Sequence, residues 1–170
     1  TAQATINYGA VKASERYLYV DYISGTDYTR VNVLKDGSGI GWSYSAASKT
    51  LTLSSYNAGP IACDSDLNIV LNGSNTVTLP EPSQSGINVN GKLTITKSGS
   101  SYTDTLTVKQ LTTSTPADLI VTGNATGDSC VINGGTVNLV GANAANGTNG
   151  IVHSASVNND ARLNISAGYI

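Results

Sequence analysis

The sequence lacks several residue types that most folded domains use freely. It contains no phenylalanine and no methionine, and it has one tryptophan, one histidine and two cysteines. Charged residues make up 12% of the chain, about half the usual share. Two glutamates and nine lysines plus arginines are too few to cover the exposed faces of helices. Helical folds are therefore disfavoured.

Charge and hydropathy exclude two classes of partner. The formal net charge is −2, the pI is about 5.1 and no basic run is present, so we expect no nucleic-acid binding. No apolar stretch approaches the roughly 20 residues of a membrane-spanning helix, so we expect no membrane insertion. The chain begins at Thr1 without a visible signal peptide, and we interpret it as a mature or trimmed chain.

The two cysteines do not define a disulfide scaffold. Cys63 and Cys130 are far apart in sequence and neither belongs to a CxxC pair. We expect both to be buried free thiols that pack as small apolar side chains. A single disulfide in an oxidising compartment is the alternative.

Short strand-like runs recur along the chain, each bounded by turn residues. Three kinds of apolar element repeat at intervals of about 30 residues. The first begins at Ile61, Ile87, Leu119 and Ile151; the second at Leu67, Leu93, Cys130 and Leu163; and the third at Val77, Leu106 and Val137. Such a repeat predicts three short strands per turn of a solenoid, with each kind of element stacked in its own inner column.

We therefore predict an all-β fold, a right-handed parallel β-helix (solenoid) of about four coils over residues 41–170. An antiparallel sandwich is the alternative, because the same short strands would permit it. Residues 1–40 hold five of the nine tyrosines and read as a β-rich hairpin segment. We expect this segment to cap or extend the first coil, since an open solenoid end invites aggregation.

A family resemblance begins at the segment GWSYSAASKTLTL. This segment, GINVNGKLTI and CVINGGTVNLV resemble secreted bacterial parallel β-helix surface proteins, some of which are described as carbohydrate-binding or adhesin-like. The matching positions are Trp42, Tyr44, Leu51, Leu53, Gly134 and Gly135. The chain departs from the pattern at NGKLTITKSGSS, where the expected double glycine is missing, and over residues 109–129. The resemblance implies a secreted or cell-surface setting in a bacterium and the β-helix fold.

Aromatic residues are the first candidates for a ligand site, because glycans are commonly bound on aromatic rings surrounded by polar groups. The candidates are Trp42, Tyr44, Tyr56 and Tyr102. For Trp42 and Tyr44, however, we favour packing over the first coil. Tyr102 lies in the polar insertion SGSSYTD and is the best candidate for an exposed ring.

Acidic and basic residues give weaker signals. Asp64 and Asp66 lie in a turn, where Asp accepts local backbone hydrogen bonds. A calcium site is the alternative, because calcium takes oxygen ligands; otherwise we expect no cofactor. His153, the single histidine, falls in an inner column beside Cys63, Val89 and Val121 and reads as structural. No constellation of catalytic residues stands out.

The sequence thus favours a non-catalytic surface protein that binds a polysaccharide or host glycan weakly, as in adhesion. A structural stalk or spacer module of a larger surface protein is the second hypothesis. A polysaccharide lyase-like enzyme is the third, and it would require clustered acidic residues near an arginine or lysine.

Overall fold

A computed structural model describes residues 16–21, 28–79, 85–99, 103–111, 117–123, 128–141, 149–153 and 162–169. These residues form strands and no helix, which confirms the all-β class. The strands are β1 (Tyr17–Val20), β2 (Thr29–Asn32), β3 (Gly37–Gly39), β4 (Trp42–Ser45), β5 (Thr50–Ser54), β6 (Asn57–Ala58), β7 (Ile61–Cys63), β8 (Leu67–Asn72), β9 (Ser74–Leu79), β10 (Ile87–Val89), β11 (Leu93–Lys97), β12 (Thr105–Gln110), β13 (Ile120–Thr122), β14 (Asp128–Val140), β15 (Ile151–His153) and β16 (Arg162–Tyr169).

Most of these strands pair in parallel with strands one repeat away, and they form three ladders. The first ladder runs β7-β10-β13-β15. The second runs β5-β8-β11-β14-β16, using the first part of β14. The third runs β6-β9-β12-β14, using the last part of β14. Parallel pairing between distant segments excludes the antiparallel sandwich for this part of the chain.

The second ladder follows the predicted register. Leu67, Leu93, Cys130 and Leu163 are aligned across the strands, as are Ile69, Ile95, Ile132 and Ile165. Ile69, Ile95 and Ile132 have no exposed surface. Because each L-x-I pair alternates with polar residues between turns, the sequence admits one register that buries both apolar side chains.

The first ladder departs from the prediction by one residue. Ile61, Ile87, Ile120 and Ile151 are aligned, so Ile120 takes the position predicted for Leu119. Leu119 is also buried, immediately before β13. Because Leu119 and Ile120 are both apolar, the sequence pattern alone does not decide which of them aligns with Ile87, and the predicted alignment was wrong by one residue.

The third ladder departs by two residues at one strand. Leu106 aligns with Val137 and Val108 with Leu139, as predicted. Val77, however, aligns with Val108, and the position opposite Leu106 is occupied by Asn75. Asn75 is only 1% exposed. The Asn75 amide can be buried in the inner column because it hydrogen-bonds to the backbone groups around it.

Two glycines allow β14 to serve two ladders. Gly134 and Gly135 have φ values of 147° and 81°, a region that side-chain-bearing residues rarely adopt. The chain turns there, so Cys130–Ile132 continue the second ladder and Thr136–Val140 continue the third.

Antiparallel strands extend the two sheets beyond the parallel ladders. β1 and β2 pair antiparallel, and β1 also pairs antiparallel with β7 through Leu18 opposite Cys63. The connection between them, residues 22–27, lies outside the described residues. β3, β4 and β5 form an antiparallel meander, and β5 then joins β8 in parallel.

Candidate functional site

Three of the aromatic candidates lie in the core. Trp42, Tyr44 and Tyr56 are between 2% and 7% exposed. The Tyr44 hydroxyl donates to Val33 O at 3.0 Å, and the Tyr56 hydroxyl donates to Gly59 O at 2.8 Å. Burial raises the pKa of both phenols. None of these rings is therefore available as an exposed platform, and Tyr102 lies outside the described residues.

Asp64 and Asp66 hold backbone groups of neighbouring strands. Asp64 Oδ2 accepts the backbone N–H of Tyr17 at 3.3 Å, and Asp66 Oδ1 accepts that of Lys92 at 3.0 Å. Asp66 Oδ2 also lies 3.6 Å from Lys49 Nζ. Within the described part of the chain, no three or more His, Cys, Asp or Glu side chains are grouped so that they could hold a metal ion. These hydrogen bonds are not the local bonds expected within a turn: they tie the Asp64–Asp66 turn to β1 and to the residue that precedes β11.

The two cysteines are free and buried. Burial raises the pKa of the Cys63 thiol, and it raises that of Cys130 to about 11. Both are neutral thiols near pH 7 and therefore poor nucleophiles. His153 aligns with Thr122 rather than the predicted Val121, because of the same one-residue shift that moves Ile120.

A groove of about 350 Å³ lies over the first ladder. Residues of three neighbouring strands and the residues that follow them line it: Ala62, Asp64, Asn88, Asn90, Val121 and Gly123, together with the buried Cys63 and Thr122. Ala62 and Gly123 have little or no side chain, which leaves the surface concave. Gly123 is packed so closely that a Cβ would lie 2.4 Å from the backbone carbon of Asn90.

Three partly exposed tyrosines and an arginine lie beside this groove, on β1, on β2 or immediately before β2. We call them the tyrosine cluster: Tyr17, Tyr19, Tyr28 and Arg30. The rings of Tyr17 and Tyr19 are 6.2 Å apart, and those of Tyr19 and Tyr28 are 5.3 Å apart in an edge-to-face arrangement. The Arg30 guanidinium lies 4.4 Å from the centre of the Tyr17 ring, within cation–π range.

The groove and the tyrosine cluster share one face of the six-stranded sheet β15-β13-β10-β7-β1-β2. One residue from each strand is in register, and we call this set the outer row: Arg30, Tyr19, Ala62, Asn88, Val121 and Val152. Residues directly opposite each other point to the same face. That face is outward, because the alternate residues Leu18, Cys63 and Val89 are buried.

Electrostatics link the groove to the tyrosine cluster. The pKa of Tyr19 is raised, first by partial burial and then by the negative charge of Asp64, while Arg30 acts in the opposite direction. Asp64 also lines the groove. The rings, the acidic side chain and the two groove asparagines thus form one continuous surface.

The sequence predicts these tyrosines in an N-terminal cap rather than in a site. The alternation YLYV does indicate that Tyr17 and Tyr19 share a face, since Leu18 and Val20 are the buried positions. The placement of β1 beside β7 depends on pairing across more than 40 residues of chain. No local pattern contains that information.

No protein-family model matches the chain, and no curated protein or solved structure shows a significant match to it. Within the described residues, no helix has the length and apolar character needed to span a membrane.

Proposed function

We propose that this chain is a non-catalytic, secreted or cell-surface protein that binds a polysaccharide or host glycan at the groove and the tyrosine cluster. In this proposal the three ladders are the faces of a right-handed parallel β-helix. Support for the β-helix comes from the aligned aliphatic columns and from β14, which turns from one ladder into the next.

The observation that carries the functional proposal is the set of partly exposed tyrosine rings beside a groove lined with amides. A sugar ring has an apolar C–H face and a rim of hydroxyl groups, so it suits an aromatic surface next to polar groups. Asn88 and Asn90 line the groove and each carries both a donor and an acceptor. The low charge of the chain agrees with a ligand recognised through hydroxyl groups.

Binding is better supported than hydrolysis. Cleavage of a glycosidic bond generally uses two carboxyl groups on opposite sides of it. Asp64 is the one carboxylate among the described residues that line the groove, and its Oδ2 accepts the backbone N–H of Tyr17.

The test compares the intact protein with two single variants on a glycan array and on insoluble polysaccharides. Tyr19→Ala removes the ring that is in register with the groove. Ile40→Ala is the control, because Ile40 is an apolar residue that is 98% exposed and lies outside the outer row. Circular dichroism confirms that both variants fold.

We expect the wild type and Ile40→Ala to be retained equally, and Tyr19→Ala to bind about tenfold more weakly, equivalent to about 1.4 kcal/mol. Retention of the wild type on no glycan at all, or equal retention of the two variants, would count against the proposal.

A structural stalk or spacer module is the second candidate, and one observation favours it. Ile165 belongs to the same inner column as the fully buried Ile95 and Ile132, but it is 47% exposed. An exposed apolar residue in an otherwise buried column suits a surface that packs against another protein surface. Absence of glycan retention by the folded wild type would favour this candidate.

A further inference from the structure

We propose that the ligand is an uncharged, extended glycan chain that lies along the outer row, crossing the strands from Tyr19 towards Val121. This inference rests on the proposed glycan-binding function. It adds the direction in which the chain runs, its minimum length and its charge.

The dimensions of the face set the direction. β7, β10 and β13 are each three residues long, so the surface extends only about 10 Å along the strands at roughly 3.3 Å per residue. Across the strands, the three steps from Tyr19 to Val121 cover about 14 Å at roughly 4.8 Å per strand. The outer row continues beyond both residues, to Arg30 and Val152. A linear ligand gains most contact by lying across the strands.

The order of side chains along the row matches an extended chain better than a single sugar. Tyr19 supplies a ring at one end, Ala62 leaves a gap beside it, and the exposed amide of Asn88 follows on the next strand. Val121 then supplies an apolar surface. A single sugar cannot contact both Tyr19 and Val121, so both ends contribute only when several linked sugars are bound.

Charge favours a neutral chain. The Asp64 carboxylate lines the groove between the tyrosine cluster and the amides, and it would repel an acidic sugar there. The Arg30 guanidinium is at the end of the row, where it lies over the Tyr17 ring. The attraction that an anion would gain at Arg30 is opposed by Asp64 along the path that the chain would follow.

The test measures affinity by calorimetry for oligosaccharides of one to six sugars. The neutral series are fragments of β-1,4-linked glucan, mannan, xylan and chitin, and the acidic series are fragments of polygalacturonate and alginate. We expect at least one neutral series to gain tenfold or more between the disaccharide and the tetrasaccharide, and to change less than twofold beyond the pentasaccharide. Raising NaCl from 50 to 500 mM should change that affinity less than twofold.

Two variants test the path. Ala62→Leu fills the gap between Tyr19 and Asn88 on an outward face, and we expect it to weaken tetrasaccharide binding at least tenfold. Asn88→Ala removes the central amide, and we expect a loss of about fivefold. Asn138→Ala is the matched control, because Asn138 is an exposed asparagine on the third ladder. It should bind as the wild type does.

The outcomes separate the two levels of the proposal. If binding requires Tyr19 but shows no gain with chain length, favours the acidic series with a steep salt dependence, or is unaffected by Ala62→Leu and Asn88→Ala, this inference is overturned and glycan binding stands. If no series binds and the wild type is retained on no polysaccharide, both fail.

Discussion

Replacement of Asn75 by leucine should destabilise the protein, although leucine would extend an aliphatic column. Asn75 lies opposite Leu106 in the third ladder and is almost fully buried. Its Oδ1 accepts the backbone N–H of Tyr56 at 3.0 Å. Its Nδ2 donates to the carbonyl oxygens of Gly73 at 3.0 Å and Thr105 at 3.2 Å. The amide thus forms hydrogen bonds to the backbone at three positions, and a leucine side chain could form none of them.

The magnitude follows from opposing contributions. Burial of a leucine side chain contributes about 1.5–3 kcal/mol relative to exposure. Against this, the Tyr56 N–H would lose its acceptor, which costs about 1–3 kcal/mol, and each of the two carbonyls would lose a hydrogen bond worth about 0.5–1.5 kcal/mol. Taken at the midpoints of these ranges, the net loss is roughly 2 kcal/mol in the free energy of unfolding.

Urea unfolding followed by circular dichroism measures this loss. Asn138→Leu is the control, because Asn138 is exposed on the same ladder and should change stability by less than about 0.5 kcal/mol. A stability of Asn75→Leu equal to or above that of the wild type, at an unchanged m-value, would refute the reasoning. Such a result would mean that the hydrogen bonds of the Asn75 amide add no more stability than a buried leucine does.

Three further predictions concern the column, the thiols and a strand end. Ile95→Ala should cost about 3–4 kcal/mol and Ile165→Ala less than half of that by urea unfolding, since both belong to one column but only Ile95 is fully buried; equal costs would contradict the stacking. The Cys130 pKa is raised from 9.0 to about 11, so the fold favours the neutral thiol. This shift stabilises the fold by roughly 3 kcal/mol below about pH 9, and that stabilisation is lost as the pH rises from about 9 through about 11. The free energy of unfolding should therefore be lower at pH 10.5 than at pH 8, and Cys130→Ala should show a smaller difference. Gly123→Ala should lower the melting temperature by several degrees because its Cβ would lie 2.4 Å from the Asn90 backbone, whereas Gly99→Ala, with nothing within 4 Å, should leave it nearly unchanged.

The second ladder could be predicted from the sequence because its strands alternate without ambiguity. Leu67–Ile69 and Leu93–Ile95 each place two aliphatic residues on one face, with a polar residue between them and turn residues around them. A shift of one residue would expose both aliphatic side chains, so the periodic pattern determines the register. The DLIV segment has no such constraint, and there the predicted alignment was wrong by one residue.

Asn75 shows why a polar residue can escape prediction in an inner column. Hydrophobicity places Asn on the outside, and the aliphatic alternation of VTL starts only at Val77. The burial of Asn75 depends on carbonyl groups that Gly73 and Thr105 present from two different repeats. That arrangement exists only after the ladders have formed.

Trp42 and Tyr44 lie in the core rather than on an exposed face, and strand pairing explains why. Trp42 and Tyr44 alternate in phase with Leu53 and Leu51, and the structure pairs them directly across the β4–β5 hairpin. Since Leu51 and Leu53 also align with Ile69 and Leu71 of the second ladder, the two rings follow the inner columns into the core. The pattern WSYS followed by TLTL contains this information, because both segments place apolar residues at alternate positions.

The candidate site could not be read as a motif because the fold distributes it along the chain. In a parallel ladder each strand contributes one residue to any row across its outer face, so neighbours on the surface lie a full repeat apart in sequence. Tyr19, Ala62, Asn88 and Val121 are adjacent in space and separated by 43, 26 and 33 residues of chain. The inner positions of the same strands must remain apolar, whereas the outward positions are free to vary one strand at a time. Recognition of an extended ligand along such a row would therefore be adjusted by single outward substitutions, each of which changes the surface at one strand and leaves the core unchanged.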